Sequence, residues 1–189
     1  MYLFADFSQR HHKAFNLSIP FWHWSSLVVT IGCLGYLPKY HWSHFGSLSA
    51  SLITPLLLVG LGAYHSPTAS VLLVVGSCLL AWGALIHIHQ HGTESDHDAS
   101  AIVIDEVAGS ALAALAIPTM MHLMGTHTVA DAILCALLIG WMFRFFDLCK
   151  PYPAHVMDAL WHHPFSVVAD DLVAGVYAGL ACIAFAAII

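Results

Sequence analysis

The sequence predicts an all-α integral membrane protein, a bundle of about five transmembrane helices preceded by an interfacial or re-entrant helix. Of its 189 residues, 59% are hydrophobic and only 8% are charged, which differs strongly from the composition of a soluble domain. The apolar residues also form runs of about 18 or more, the length that a helix needs to cross a bilayer. The formal net charge of −6 argues against a nucleic-acid partner.

Five apolar segments qualify as membrane spans: residues 47–64, 69–87, 101–121, 128–146 and 172–189. A further apolar segment, residues 19–37, contains two glycines and is bordered by Pro20 and Pro38, which favours an interfacial or re-entrant helix. We expect residues 1–18 to form a polar N-terminal segment and residues 19–189 to form one helical catalytic domain in the membrane. The five cysteines are scattered, without a C-x-x-C pair, which indicates reduced packing residues.

Alternation of the five spans across a bilayer places two short turns on one side and the longer polar segments on the other. All five cations then share the second side, provided that residues 19–37 do not cross the membrane. By the positive-inside rule, that side faces the cytoplasm. The cations are Arg10, Lys13, Lys39, Arg144 and Lys150.

Most of the acidic residues lie at this same boundary, in three motifs that are far apart in the chain. Ionisable groups at the edge of a bilayer are costly, so they indicate a functional site. Small residues follow Asp105 and Asp171 at four-residue steps, which lets helices approach closely and predicts that both carboxylates share one centre. The motifs are DASAIVIDEVAG with Asp98, Asp105 and Glu106, FRFFDLCKPYP with Arg144, Asp147 and Lys150, and VVADDLVAG with Asp170 and Asp171.

The residue types in these motifs suit the chemistry of phosphate esters. Clustered carboxylates are ligands that Mg²⁺ prefers. Arginine binds phosphate oxygens bidentately and lysine adds a point charge; Arg144, Asp147 and Lys150 would share one helix face if the helix continues to Lys150. We therefore expect Mg²⁺-dependent phosphoryl transfer or hydrolysis on a lipid with a phosphate at headgroup depth. Attack on phosphorus by water and attack by an aspartate both stay open.

In this order and at these spacings, the three motifs resemble those of the phosphatidylglycerophosphatase A family, over about residues 22–180. FGSL at residues 45–48 resembles that family's N-terminal loop motif. The resemblance implies a multi-pass enzyme of the bacterial inner membrane with a cytoplasmic active site. It implies that Mg²⁺ is required to hydrolyse the terminal phosphate of phosphatidylglycerophosphate and give phosphatidylglycerol. The lipid substrate and the bilayer are then the expected partners.

Carried over position by position, the resemblance also implies roles for individual residues. The implied catalytic residues are Asp105, Glu106, Arg144, Asp147, Lys150, Asp170 and Asp171. The implied metal ligands are Asp105, Glu106, Asp147, Asp170 and Asp171, with Asp98 as a further candidate. The implied phosphate contacts are Arg144, Lys150, Gly46 and Ser47. The chain departs from the family at residues 42–44, where Pro-Gly-Thr is common, and at residues 162–166, where a glycine-rich turn is common.

Other interpretations of the same residues stay open at this point. Carboxylates in the first turn of a helix can complement its dipole, Asp98 can cap a helix, and the charges near Arg144 can form an intrahelical ion network. A small metal-ion or proton transporter is the alternative function. It could use the same carboxylates with the histidines of residues 87–97, where His87 and His91 have a metal-binding spacing. A non-catalytic assembly subunit would need only the small-residue stripes.

Overall fold

A computed structural model of the chain describes residues 23–24, 45–62, 66–93, 102–158 and 164–189. Within these ranges the regular secondary structure is helical and contains no β-strand, so the predicted all-α class is confirmed. The helices are α1 (Phe45–Gly60), α2 (Pro67–His91), α3 (Ile104–Ala114), α4 (Ile117–Leu123), α5 (Val129–Cys149), α6 (Ala154–Asp158) and α7 (Pro164–Ala186).

Four helical segments of the described chain are long and apolar enough to cross a membrane. The first predicted span, residues 47–64, corresponds to α1, which is apolar but only 16 residues long and contains Pro55. The protein therefore has the predicted multi-helical membrane architecture, with four full-length candidates and one shorter apolar helix. The full-length candidates are Val71–His91, Ile104–Leu123, Val129–Cys149 and Phe165–Ala186.

Two of the predicted spans differ clearly from the helices in the structure, one in its first residue and one in its continuity. The span predicted at residues 172–189 begins at Pro164, where proline suits a first helical position because it lacks an N–H group. The span predicted at residues 101–121 divides into α3 and α4. Pro118 cannot donate a hydrogen bond to the preceding turn, and Ala116 N–H instead bonds the carbonyl of Ala113 at 3.0 Å.

The backbones of helices α3 and α7 approach closely because glycines face each other across the contact between them. A Cβ atom added to Gly109 would lie 2.9 Å from the backbone carbon of Asp171, and one added to Gly175 would lie 3.1 Å from the carbonyl carbon of Gly109. Larger side chains would separate the two backbones. The close approach expected from the small-residue stripes is therefore present, and it joins the helices that carry the two acidic pairs.

Helix α5 packs against both α1 and α7 and completes the core of the bundle. A Cβ atom on Gly140 would lie 2.8 Å from the carbonyl oxygen of Ser51 on α1. The side chains of Phe143 and Ile139 are fully buried between the helices. This packing brings the first turns of α1 and α3, the last turns of α5 and the second turn of α7 to one end of the bundle.

Several sequence predictions fall on residues outside the described ranges. They concern the polar segment 1–18, the interfacial or re-entrant helix at residues 19–37, the divergent positions 42–44, Asp98 and the histidine at position 97. Three of the five cations also lie there: Arg10, Lys13 and Lys39.

Candidate active site

Asp105 and Glu106 occupy the first turn of α3. Val103 precedes this helix and offers no side-chain cap, so the first N–H groups need other acceptors. Asp105 Oδ1 meets part of this need because it accepts a hydrogen bond from the Glu106 N–H at 3.1 Å. Glu106 itself is only 8% exposed and points into the bundle.

Asp170 and Asp171 lie in the second turn of α7, and both are buried. The Gly109 contact holds the Asp171 backbone against α3. As a result, Asp105, Glu106 and Asp171 each present a carboxylate oxygen, and these oxygens lie within 4.8 Å of one another. We call these three residues the acidic centre.

Arg144 and Asp147, one turn apart near the end of α5, form a buried ion pair. Arg144 Nη1 also lies 4.0 Å from Glu106 Oε1 on α3. The guanidinium therefore connects the acidic centre to a fourth carboxylate. The sequence left open an ion network within one helix near Arg144. The observed network includes Asp147 on α5 but also reaches Glu106 on α3.

Lys150 does not share the helix face of Arg144 and Asp147, because the helix does not continue to Lys150 as that expectation required. Helix α5 ends at Cys149, and Lys150 adopts left-handed backbone angles, φ 40° and ψ 63°. Pro151 explains the ending, because a proline disfavours helical angles in the residue before it. From this turn Lys150 Nζ pairs with Asp170 Oδ2 on α7.

The predicted phosphate contacts at the start of α1 reach the same region. Gly46 lies in the first turn of α1, and Ser47 is buried with its side chain interacting with Glu106. Ser51 Oγ donates a hydrogen bond to the Ser47 carbonyl at 2.7 Å, which fixes this turn. The structure thus brings Ser47 to the acidic centre.

The charges at this end of the bundle are unbalanced. Asp147, Asp170, Asp105 and Glu106 all lie close enough to Asp171 to repel it. These five carboxylates exceed the two cations Arg144 and Lys150 by three formal negative charges. In addition, Glu106 Oε2 is buried without a hydrogen-bond partner among the described residues. A hard divalent cation such as Mg²⁺ fits this set of oxygen donors.

The structure also bears on the other interpretations of these residues. The helix dipole can account for Asp105 and Glu106, which lie in a first turn, but Asp170 and Asp171 lie deeper in α7, where the effect is weak. Asp131 lies away from the site, in the first turn of α5 at the other end of that helix. There it forms a capping box with Thr128, whose hydroxyl accepts the Asp131 N–H at 3.2 Å.

The histidines near the end of α2 form a stack of rings. The His87 ring lies 4.2 Å from that of His91 and 4.6 Å from that of His23, with nearly parallel planes. Among the described residues, only the acidic centre brings three or more possible metal-ligand atoms together, and it contains no histidine. The metal-binding spacing of His87 and His91 therefore leads to ring stacking here.

Sequence reasoning missed Tyr177. Its hydroxyl donates a hydrogen bond to the carbonyl of Tyr152 at 2.8 Å, and its ring stacks on Phe146. The available signal was its spacing: Tyr177 follows Asp170 by seven residues, which is about two helical turns, so both lie on one face of α7.

Fold and site together define a multi-pass helical membrane protein with a cluster of carboxylates, able to hold a metal ion, at one end of its bundle. Residues 27–186 match the family model of phosphatidylglycerophosphatase A, and the chain belongs to this family. It is also 29% identical over 136 residues to a phosphatidylglycerophosphatase A of Haemophilus influenzae. The aligned region covers 71% of this chain and 72% of the relative. No solved structure matches the chain.

Family membership confirms the resemblance seen in the three motifs. It also identifies the class of enzyme, a phosphoric monoester hydrolase of the phosphatidylglycerophosphatase type.

Proposed function

We propose that the protein is a Mg²⁺-dependent lipid phosphatase that converts phosphatidylglycerophosphate and water into phosphatidylglycerol and inorganic phosphate. The observation that carries this proposal is the acidic centre, where α3 and α7 bring three carboxylate oxygens within 4.8 Å of one another. Arg144 lies 4.0 Å from Glu106 of this centre, and Lys150 pairs with Asp170, the chain neighbour of Asp171; a phosphate-binding site requires such cations. The family and its Haemophilus influenzae member, which bears the name of this activity, supply the substrate.

The residues of the acidic centre would hold the metal ion. Asp105, Glu106 and Asp171 converge, whereas Asp147 and Asp170 are each paired with a cation and would orient or complete the set. Asp98 remains a further predicted ligand. A bound Mg²⁺ would polarise the phosphate ester and stabilise the charge that develops on its oxygens.

Arg144 and Lys150 would bind the terminal phosphate, with different accessibility. The Lys150 side chain is 22% exposed, so we assign it the first contact with a phosphate that approaches from the membrane surface. The Arg144 side chain is only 9% exposed. Because a guanidinium has five N–H donors, Arg144 can contact the phosphate while it keeps its bond to Asp147. Ser47, next to Glu106, is the third predicted contact.

Either a water molecule or an aspartate could attack phosphorus, and one experiment distinguishes these two mechanisms. A water molecule would pass its proton to one of the buried carboxylates as it attacks. An aspartate would instead displace phosphatidylglycerol, whose oxygen takes up a proton as the ester P–O bond breaks, and the acyl phosphate that forms would then be hydrolysed by water to inorganic phosphate and the free aspartate. Rapid acid quenching with labelled substrate traps a phosphorylated protein in the second case and only free phosphate in the first.

The position of the site suits a lipid substrate. The acidic centre, Arg144 and Lys150 lie at one end of the bundle, and we propose that this end lies at the depth of the lipid headgroups. We propose that this end faces the cytoplasm at the bacterial inner membrane, in accordance with the positive-inside rule. The single helical domain would then act on lipids of the inner leaflet.

The test is phosphate release by the purified full chain in detergent micelles that contain phosphatidylglycerophosphate. We expect release that requires Mg²⁺, stops with excess EDTA and returns when Mg²⁺ is added back. Absence of release at any Mg²⁺ concentration from a folded protein would contradict the proposal. Ion uptake by the same protein in liposomes, without phosphate release, would favour the transporter.

A further inference from the structure

Lys150 occupies a turn whose backbone is unfavourable for a residue with a side chain. Its angles, φ 40° and ψ 63°, are left-handed. Such angles persist where the surrounding structure imposes them. The Lys150 N–H bonds the Phe146 carbonyl at 2.8 Å, which closes the end of α5 but does not connect the turn to another helix. Contacts of the residues around Lys150 with α7 can therefore help to fix where Lys150 Nζ lies, as its own pairing with Asp170 does.

Tyr177 on α7 makes two such contacts, one on each side of Lys150. Its ring stacks on the Phe146 ring with a centroid distance of 5.7 Å and an angle of 29° between planes. Its hydroxyl donates a hydrogen bond to the Tyr152 carbonyl at 2.8 Å. The last turn of α5 and the segment after Lys150 are thus both held against the same side chain.

The direction of the Tyr177 side chain fits this role. Side chains of an α-helix lean toward its N-terminus, so the Tyr177 hydroxyl extends along α7 toward Asp170. Asp170 lies about two turns earlier on the same face and pairs with Lys150. One stripe of α7 therefore carries both the partner of the Lys150 ammonium group and the residue that holds its turn.

We propose that Tyr177 is a positioning residue for Lys150. Its ring and hydroxyl hold residues 146–152 against α7, and this keeps the ammonium group paired with Asp170. The inference rests on the proposed function, because it requires Lys150 to contact the substrate phosphate.

The first test is Tyr177→Phe in the full-length protein, which removes the hydroxyl and keeps the stacked ring. We expect kcat/KM for phosphatidylglycerophosphate to fall about three- to ten-fold, the effect of one lost hydrogen bond, and the inhibition constant of inorganic phosphate to rise by a similar factor. Tyr152→Phe is the matched control, since it removes a hydroxyl but keeps the backbone carbonyl that Tyr177 contacts. Wild-type kinetics and phosphate inhibition in Tyr177→Phe would overturn the inference.

The second test places Tyr177→Phe in a Lys150→Ala background. If Tyr177 acts through Lys150, the second substitution has no further effect on kcat/KM or on phosphate inhibition. An equal fold loss in both backgrounds would show a general structural role and overturn the inference. Wild-type kinetics in Lys150→Ala alone would overturn both the inference and the phosphate-binding role of Lys150, whereas failure of the inference alone leaves Lys150→Ala impaired.

Phe146→Leu provides a second variant if Tyr177→Phe does not fold. It removes the ring that stacks on Tyr177 and leaves the hydroxyl in place. We expect the same pattern, a several-fold loss that disappears in the Lys150→Ala background. A loss that persists there would contradict the proposed route through Lys150.

Discussion

Asp171 is the residue on which the acidic centre depends most. It is buried, it contributes one of the three converging oxygens, and four other carboxylates repel it. The charge of a buried carboxylate in such surroundings is costly unless a cation compensates it. Its neighbour Asp170 has Lys150 for this purpose, whereas Asp171 faces the centre where we propose that Mg²⁺ binds.

We predict that Asp171→Asn lowers phosphate release at least about 100-fold, because an amide provides neither the charge nor the ligand strength of a carboxylate. The matched control is Asp131→Asn, the same chemical change in the first turn of α5, at the end of that helix away from the site. Asparagine can still accept capping hydrogen bonds there. We expect its activity to stay near that of the wild type. Steady-state assays with both variants check this, and an active Asp171→Asn would remove the residue from the catalytic set.

At the residue scale, the sequence predicted which charged side chains would meet but not every pairing. The described charged residues of the three motifs do lie at one end of the bundle, and the glycines let α3 and α7 approach there. The pairing of Lys150 with Asp170 was not predictable from helical periodicity, since it depends on where α5 ends. The spacing of Tyr177 from Asp170 indicates a shared helix face, but it does not indicate the hydrogen-bond acceptor, which is a backbone carbonyl 25 residues earlier in the chain.

At the scale of helices, the contact between α3 and α7 aligns the two acidic pairs. Gly109 and Gly175 are the points of closest approach, and a methyl group at either would meet backbone atoms of the other helix. Backbone atoms cannot rotate away as a flexible side chain can. A substitution there must therefore shift one helix relative to the other, and the carboxylates shift with it.

We predict that Gly109→Ala destabilises the protein by about 1–3 kcal/mol, as overpacking does, and lowers phosphate release more than ten-fold. Gly83→Ala on α2 is the matched control, because a Cβ atom there would meet nothing within 4 Å. Alanine at Gly83 favours a helix by about 0.5–1 kcal/mol and should leave activity intact. Thermal unfolding in detergent and phosphate release check both variants; normal stability and rate in Gly109→Ala would contradict the role of this contact.

The helices were predictable from apolar runs, but several of their limits were not. The DD pair interrupts hydrophobicity, so the sequence places the start of the last span after it, whereas α7 begins at Pro164 and includes both aspartates. Buried charges that pair with Lys150 or meet the acidic centre can lie within a helix without ending it. Conversely, Pro118 divides an uninterrupted apolar run into α3 and α4, because backbone hydrogen bonding overrides hydropathy at that point.

At the scale of the whole molecule, the excess of negative charge should couple metal binding to stability. A ligand that binds only the folded state stabilises it, by about 2.7 kcal/mol at a concentration 100 times its dissociation constant. We predict that Mg²⁺ raises the unfolding temperature of the wild type by several degrees. The control is K⁺ at equal ionic strength. The shift should be lost in Asp171→Asn, and an equal shift in that variant would place the ion elsewhere.

The proposed orientation in the membrane makes a separate prediction for Cys149. This cysteine is exposed at the last residue of α5, next to Lys150, while Cys135 and Cys182 are buried among the helices. A maleimide that cannot cross membranes should label Cys149 in inside-out vesicles and not in intact spheroplasts. Cys149→Ser should remove that labelling. Labelling at Cys149 in spheroplasts would place the active site on the other face.

The shortness of α1 has a consequence for the lipids around it. Sixteen residues rise about 24 Å, which is less than the roughly 30 Å of hydrocarbon in a typical bilayer. Lipids beside a helix that is too short compress to match it, and their headgroups move toward the bilayer centre. Ser47 lies in the first turn of α1 beside Glu106. Local thinning would thus lower lipid phosphates to the depth of these side chains, so the membrane itself would help deliver its phospholipid.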